Sequence, residues 1–264
     1  MQKFRKILQF IFLAPLFIVP VLNLLEIYFI KGTYISLDIG GLSISDPVAV
    51  LQALFISHSI RPIMLASVAI PALIIILFGR VWCSWACPYY LMLDGFEKLR
   101  KKLKMKPLKP KYNPEIKRKA NISRLAVFII GLIIVGIAGI PLMYLISPPS
   151  IMSSQAVLLI KYTYITAEFI LLPILVIIEF FFGYRVWCRY VCPTGTCLSL
   201  MQSKFSMHVE YSGNCSECQK CVQVCPMILD PKIDNLSSAC NNCGECISAC
   251  PDNKKKSTLY FKSH

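Results

Sequence analysis

Eight cysteines near the end of this 264-residue chain fall into two runs of one spacing: Cys215-x2-Cys218-x2-Cys221-x3-Cys225-Pro226 and Cys240-x2-Cys243-x2-Cys246-x3-Cys250-Pro251. Three thiolates two residues apart can wrap one face of a cubane cluster, and the fourth iron needs a ligand from elsewhere. In two-cluster ferredoxins the last cysteine of each run serves the other cluster. The spacing therefore predicts one [4Fe–4S] cluster on Cys215, Cys218, Cys221 and Cys250, and a second on Cys240, Cys243, Cys246 and Cys225. Zinc is the competing reading, but a zinc site takes four ligands and gains nothing from interleaved doubling. The expected carrier is a small bacterial-ferredoxin-like α+β domain over residues 194–264.

The rest of the chain is of another character. Hydrophobic residues make up 56% of the sequence, charged residues 16%, and the mean hydropathy is +0.60. A soluble domain of this size needs more polar surface, so a bilayer is the expected solvent. The net charge of +14 raises nucleic acid as a partner, but twelve of the 28 basic residues lie between Lys98 and Arg124. One basic block beside apolar runs is the product of the positive-inside rule, and base-stacking motifs are absent, which argues against nucleic acid. Thirteen cysteines, mostly in tight runs of an apolar chain, fit metal–thiolate chemistry better than a secreted disulfide scaffold.

Four apolar stretches are long enough to cross a hydrocarbon core of about 30 Å: Ile7–Ile30, Pro62–Trp82, Ile122–Ile146 and Ala167–Trp187. The first is too long for a signal-peptide core and lacks a small-residue cleavage site. Ser45-Asp46-Pro47 is an N-cap signal, and the short Val48–Ser57 that follows is expected to lie along the outer interface. The fold expected for residues 1–193 is an all-α membrane bundle of four transmembrane helices. Both chain ends are then cytoplasmic, in the bacterial inner membrane.

An internal repeat organises these spans. Arg80-Val81-Trp82-Cys83-Ser84-Trp85-Ala86-Cys87-Pro88 recurs as Arg185-Val186-Trp187-Cys188-Arg189-Tyr190-Val191-Cys192-Pro193, and Ser45-Asp46-Pro47 has an echo in Ser147-Pro148-Pro149. A hairpin of two helices, used twice in parallel, puts both Cys-x3-Cys-Pro motifs on one membrane face. If the helices continue, each cysteine pair shares a helix face. Cys83, Cys87, Cys188 and Cys192 are thus candidates for a further metal centre or a dithiol relay, with packing at helix ends as the bland alternative. Cys197 has no counterpart in the first half and reads as a free thiol.

A membrane protein with electron-transfer clusters suggests quinol as reductant, which needs a pocket between helices and a group to take protons. Ionisable residues in or beside the spans are the candidates: Glu26, His58, Arg61 and Glu168 near the outer interface, and Glu179 deeper. Interfacial solvation accounts for the first four as readily, and a hydrogen bond inside the protein would satisfy Glu179.

Four spans, two Cys-x3-Cys-Pro motifs after the second and fourth, and the terminal double cysteine module resemble the NapH/MauN family of ferredoxin-type membrane proteins over nearly the whole chain. On the NapH side the resemblance implies a quinol dehydrogenase component that oxidises menaquinol or ubiquinol. It further implies delivery of electrons, through a NapG-like periplasmic iron–sulfur protein, to a periplasmic nitrate reductase system. The competing expectation is an assembly or reactivation factor that supplies electrons for maturing a partner metalloenzyme.

Overall fold

The computed structural model describes residues 1–26, 29–106, 108–213, 215–254 and 256–262. Helix α1 (Gln2–Leu24) contains Pro15 and Pro20 and leads to a three-stranded antiparallel meander: β1 (Ile30–Gly32), β2 (Ser36–Ile39) and β3 (Leu42–Ser45). The expected first span ended at Ile30, across Ile27 and Tyr28, which lie outside the described residues; α1 itself begins earlier and stops at Leu24.

Helices α2 (Pro47–Ser57), α3 (Pro62–Phe78), α4 (Val81–Trp85) and α5 (Pro88–Lys102) complete the first half. The second half repeats the series with α6 (Pro114–Ala138), α7 (Leu142–Ile146), α8 (Pro148–Tyr162), a 3-10 turn at Ala167–Ile170 running into α9 (Leu171–Phe182), α10 (Val186–Tyr190) and α11 (Pro193–Met201). Local chemistry sets these limits. The Asn113 side chain accepts from the Glu115 amide at 2.8 Å, so α6 starts inside the basic loop, well before Ile122. Gly79, Gly139 and Gly183 close α3, α6 and α9 at positive φ, where a side chain is strained.

Two described helices, α1 and α6, are long and apolar enough to cross a membrane. At 1.5 Å per residue the 17 residues of α3 span about 26 Å, short of the full hydrocarbon thickness. Many large apolar side chains on these helices face outward, among them Phe10, Ile63, Ile133 and Ile137.

The short helix α2 does not lie on the outer face as expected. Its Asp46 cap accepts from the Val48 amide, and Val48, 3% exposed, packs into a core with Phe128, Val135, Met143 and Cys197. Helix α8 is buried in the same way from Pro148 to Ala156. Both enter the body N-terminus first because their leading turns are apolar and proline-capped, which removes one orphan backbone donor from α2 and two from α8.

Helix α11 packs against α2, α3 and α6, so residues 193–201 belong with the helical body. The remainder forms a two-stranded antiparallel sheet, β4 (His208–Tyr211) and β5 (Leu259–Lys262), pairing Tyr211 with Leu259, over two short helices, α12 (Lys220–Val224) and α13 (Glu245–Ala249).

Candidate iron–sulfur and thiol sites

Each cysteine run curls through left-handed backbone at matching positions: Glu217 and Gln219 in the first run, Asn242 and Gly244 in the second. Non-glycine residues adopt such φ rarely, and here it turns successive thiols toward one centre. Cys215, Cys218, Cys221 and Cys250 line one cavity with Tyr211 and Lys232. Cys225, Cys240, Cys243 and Cys246 line another with Met227 and Leu229. We call these the outer and inner sites. Among the described residues no three Cys, His, Asp or Glu side chains stand close enough to hold a single metal ion, as a Zn–S distance of about 2.3 Å would demand.

The inner site is pressed against the helical body. Arg80 donates to the Ser238 carbonyl at 3.1 Å, and Trp85 Nε1 to the Asn242 carbonyl at 3.0 Å. Arg189 donates to the carbonyls of Met227 and Ile228, and the Arg185 amide to that of Pro226. Lys109 Nζ reaches the Cys225 carbonyl at 2.6 Å, and Gln2 Nε2 the Cys243 carbonyl at 3.1 Å. The outer site has Cys218 exposed.

Buried charge concentrates at this junction. Arg5 pairs with Asp94 at 2.9 Å and with Glu245 at 3.1 Å, and Arg185 pairs with Asp94 and Glu97. Tyr90 lies under both guanidiniums, with centroid distances of 5.7 and 4.5 Å. Arg5, Arg80, Arg185 and Arg189 are each at most 3% exposed. Among the described residues, Nε of each of the four lacks a hydrogen-bond partner. Among the described residues Arg80 and Arg189 donate to carbonyls and have no carboxylate in ion-pair contact, and burying cations without matching anions is costly, so this junction is suited to an anionic occupant. Two sets of four thiols, each around its own cavity and one of them ringed by cations, fit a pair of cubane clusters. Burial pushes the Cys240 thiol up to about 11, so a free thiol there stays protonated at neutral pH.

The two Cys-x3-Cys-Pro motifs have matching backbone geometry. The helix does not continue through either. The amides of Ala86 and Cys87 both donate to the Trp82 carbonyl, and those of Val191 and Cys192 both donate to the Trp187 carbonyl, at 2.9 to 3.0 Å. Cys87 and Cys192 then become the N-caps of α5 and α11, each followed by proline. The four thiols lie within electrostatic reach of one another: Cys87 with Cys83 and Cys192, and Cys188 with all three others. The turn, rather than an i, i+4 helix face, brings them together. Burial pushes Cys192 up to about 12.

Both halves send a segment into this thiol site. The Tyr34 hydroxyl, in the turn between β1 and β2, donates to the Ala86 carbonyl at 2.6 Å, and the Tyr34 ring lies 6.0 Å from that of Trp82. Ser147, which caps α8, shares a 3.0 Å hydrogen bond with Thr194. Asp46 stands near Cys192 and Cys197. Nothing in the sequence marked Tyr34, and Asp46 read only as a cap.

The five quinol candidates are not brought together. Glu26, His58 and Arg61 are exposed at the far end of the bundle, and Glu168 is half-buried there. Glu179 is 5% exposed, and its oxygens accept from the amides of Val186 and Trp187 at 3.0 and 2.9 Å. It caps the turn that carries Cys188.

A family model described as a 4Fe-4S binding domain matches residues 60–106 and 165–211. The two matches repeat at the 105-residue offset of the sequence repeat and contain the Cys-x3-Cys-Pro motifs rather than the terminal module. The methylamine utilization ferredoxin-type protein MauN of Methylobacillus flagellatus is 29% identical over 72% of this chain. The ferredoxin-type proteins NapH of Haemophilus influenzae and Escherichia coli are 26% and 25% identical, each over 76% of the chain. The aligned part spans 64% of the MauN relative and 67% of each NapH. No solved structure matches the chain. With two thiol motifs inside the matched 4Fe-4S domain repeats and these relatives over most of its length, the chain is similar to the ferredoxin-type proteins named NapH and MauN.

Proposed function

We propose that the chain is a multi-pass inner-membrane subunit that moves electrons between the membrane and an aqueous partner. In that arrangement the inner site is held by Cys225, Cys240, Cys243 and Cys246, and the outer site by Cys215, Cys218, Cys221 and Cys250. Each cubane, when bound, takes up and releases one electron. The chain's own residues set the order: thiol motifs, inner site, outer site, solvent. Arg80, Trp85 and Arg189 hold the inner loops against the thiol motifs, while Cys218 opens the outer site to a partner. That docking carries the proposal.

The relatives named NapH bring to this chain the proposal of quinol as donor and a NapG-like protein as acceptor, in service of a nitrate reductase type system. The spans are the four apolar segments, α3 and α9 being the shorter pair, with both chain ends in the cytoplasm. The thiol motifs act as the membrane-side terminus, as a dithiol pair or as a soft metal centre. A second function is favoured by one observation: Glu179 is occupied as a cap rather than free to take a proton. On it, reducing power enters at the outer site and is delivered to the thiol motifs, in support of maturing or reactivating a partner metalloenzyme.

Anaerobic addition of a quinol analogue to the purified chain, followed by its visible and paramagnetic resonance spectra, separates the two. Reduction by quinol supports the quinol dehydrogenase role. No reduction by quinol, together with ready reduction by a soluble low-potential donor and loss of oxidised thiols at Cys83, Cys87, Cys188 and Cys192, supports the second.

A further inference from the structure

The two cluster sites have the same cysteine spacing but differ in electrostatic surroundings. Three of the four inner cysteines have a cation beside them: Cys225 has Lys109 and Arg189, Cys240 has Arg80, and Cys243 has Arg5. Arg124 reaches Ser238 at 2.8 Å, Arg185 is bound to Asp94, and Lys117 is bound to Asp234. These seven cations face five carboxylates, Asp94, Glu97, Glu179, Asp234 and Glu245, which leaves an excess of two positive charges. Among the described residues the outer site has one neighbouring cation, Lys232, next to Cys215, and Asp230 stands beside Cys221.

We infer that the buried cation ring makes the inner site the first of the two to be reduced, with Arg80, Arg189 and Lys109 acting as its positioning and tuning residues. This rests on the assignment of the eight cysteines above. A cubane bound by four thiolates is already anionic, and reduction adds one negative charge. Two effects then compete. Exclusion of water disfavours that added charge at the inner site. Fixed cations in a low-dielectric setting favour it, and they are screened far less than surface charges. The outer site is open to water at Cys218 but has, among the described residues, one neighbouring cation and a nearby carboxylate. The excess of two charges decides the balance in favour of the inner site. An electron arriving from either direction then rests beside the Cys-x3-Cys-Pro motifs rather than at the solvent-facing site.

The test is an anaerobic titration of the full purified chain with dithionite, supplying one electron per cluster and followed by paramagnetic resonance. Two reduction steps are expected. Arg80→Gln should lower the reduced-to-oxidised ratio of the upper step about tenfold at fixed potential, equivalent to about 59 mV for one electron, and leave the lower step in place. Arg80→Lys should restore the upper step, which a merely structural role would not require. Lys232→Gln should shift the lower step alone and so assign it to the outer site. Should Arg80→Gln fail to load clusters, Lys109→Gln, from the surface loop, reads the same step. A single step for both clusters, or an upper step unmoved by loss of the cation, overturns the inference. Absence of any cubane signal in the unaltered chain overturns the cysteine assignment itself.

Discussion

Arg5 and Asp94 form a 2.9 Å ion pair inside the protein although 89 residues separate them, and Asp94 also receives Arg185 from the second half of the repeat. One carboxylate thus ties the first helix, the helix after the first thiol motif and the turn before the second. Removing it leaves two buried guanidiniums poorly compensated. Asp94→Asn is expected to cost about 3–5 kcal/mol. Thermal unfolding in detergent checks this, with Asp94→Glu losing less. A melting point unchanged in Asp94→Asn would show that the pair carries no net stability.

Glu179 is expected to act through the backbone. Glu179→Ala strands two amides, at about 1–3 kcal/mol each, whereas Glu179→Gln keeps one acceptor and loses about half as much. Denaturant unfolding measures both losses. Electron uptake should persist in Glu179→Gln at near the unaltered rate. An abolished rate with unchanged stability would instead place Glu179 at a substrate.

The thiol motifs should be separable from the clusters. A Cys83→Ser, Cys188→Ser double variant is expected to retain its full iron content while losing at least tenfold in electron exchange with the membrane-side donor, read by stopped-flow absorbance. Loss of iron in the same variant would make these cysteines cluster ligands.

Sidedness follows from the proposed spans. Ile60, 74% exposed at the far end, and Ile233, 70% exposed on the cysteine module, should be reached from opposite faces of sealed vesicles. Labelling Ile60→Cys and Ile233→Cys with an impermeant maleimide tests this. Labelling of both from one face would remove the bilayer from between them.

The parts of this architecture that sequence exposes are those fixed by spacing and repetition. The two cysteine runs stand at one offset from each other, and the paired Arg-Val-Trp-Cys motifs adopt matching backbone geometry. The i, i+4 spacing of Cys83 and Cys87 suggests a shared helix face, but the two converge through a turn, because proline after Cys87 starts a new helix there. Helix α2 reads as interfacial because its length and mixed polarity are those of a surface helix, and only tertiary packing around Val48 reverses that. Tyr34 and Asp94 were invisible because their roles lie in partners dozens of residues away. The deep Glu179 was legible as unusual, but its capping role depends on a turn that the hydropathy pattern cannot show.

In the proposed assignment two cubane clusters are held by interleaved cysteines, with the inner one against the thiol motifs. Mössbauer spectroscopy of the iron-57-loaded chain, beside its Cys225→Ala variant, tests that assignment. The expected result is about eight irons per unaltered chain, all in cubane form, falling to about half in Cys225→Ala with the Arg80-sensitive reduction step lost. Zinc in place of iron, or an iron content and upper step unchanged by Cys225→Ala, would contradict it.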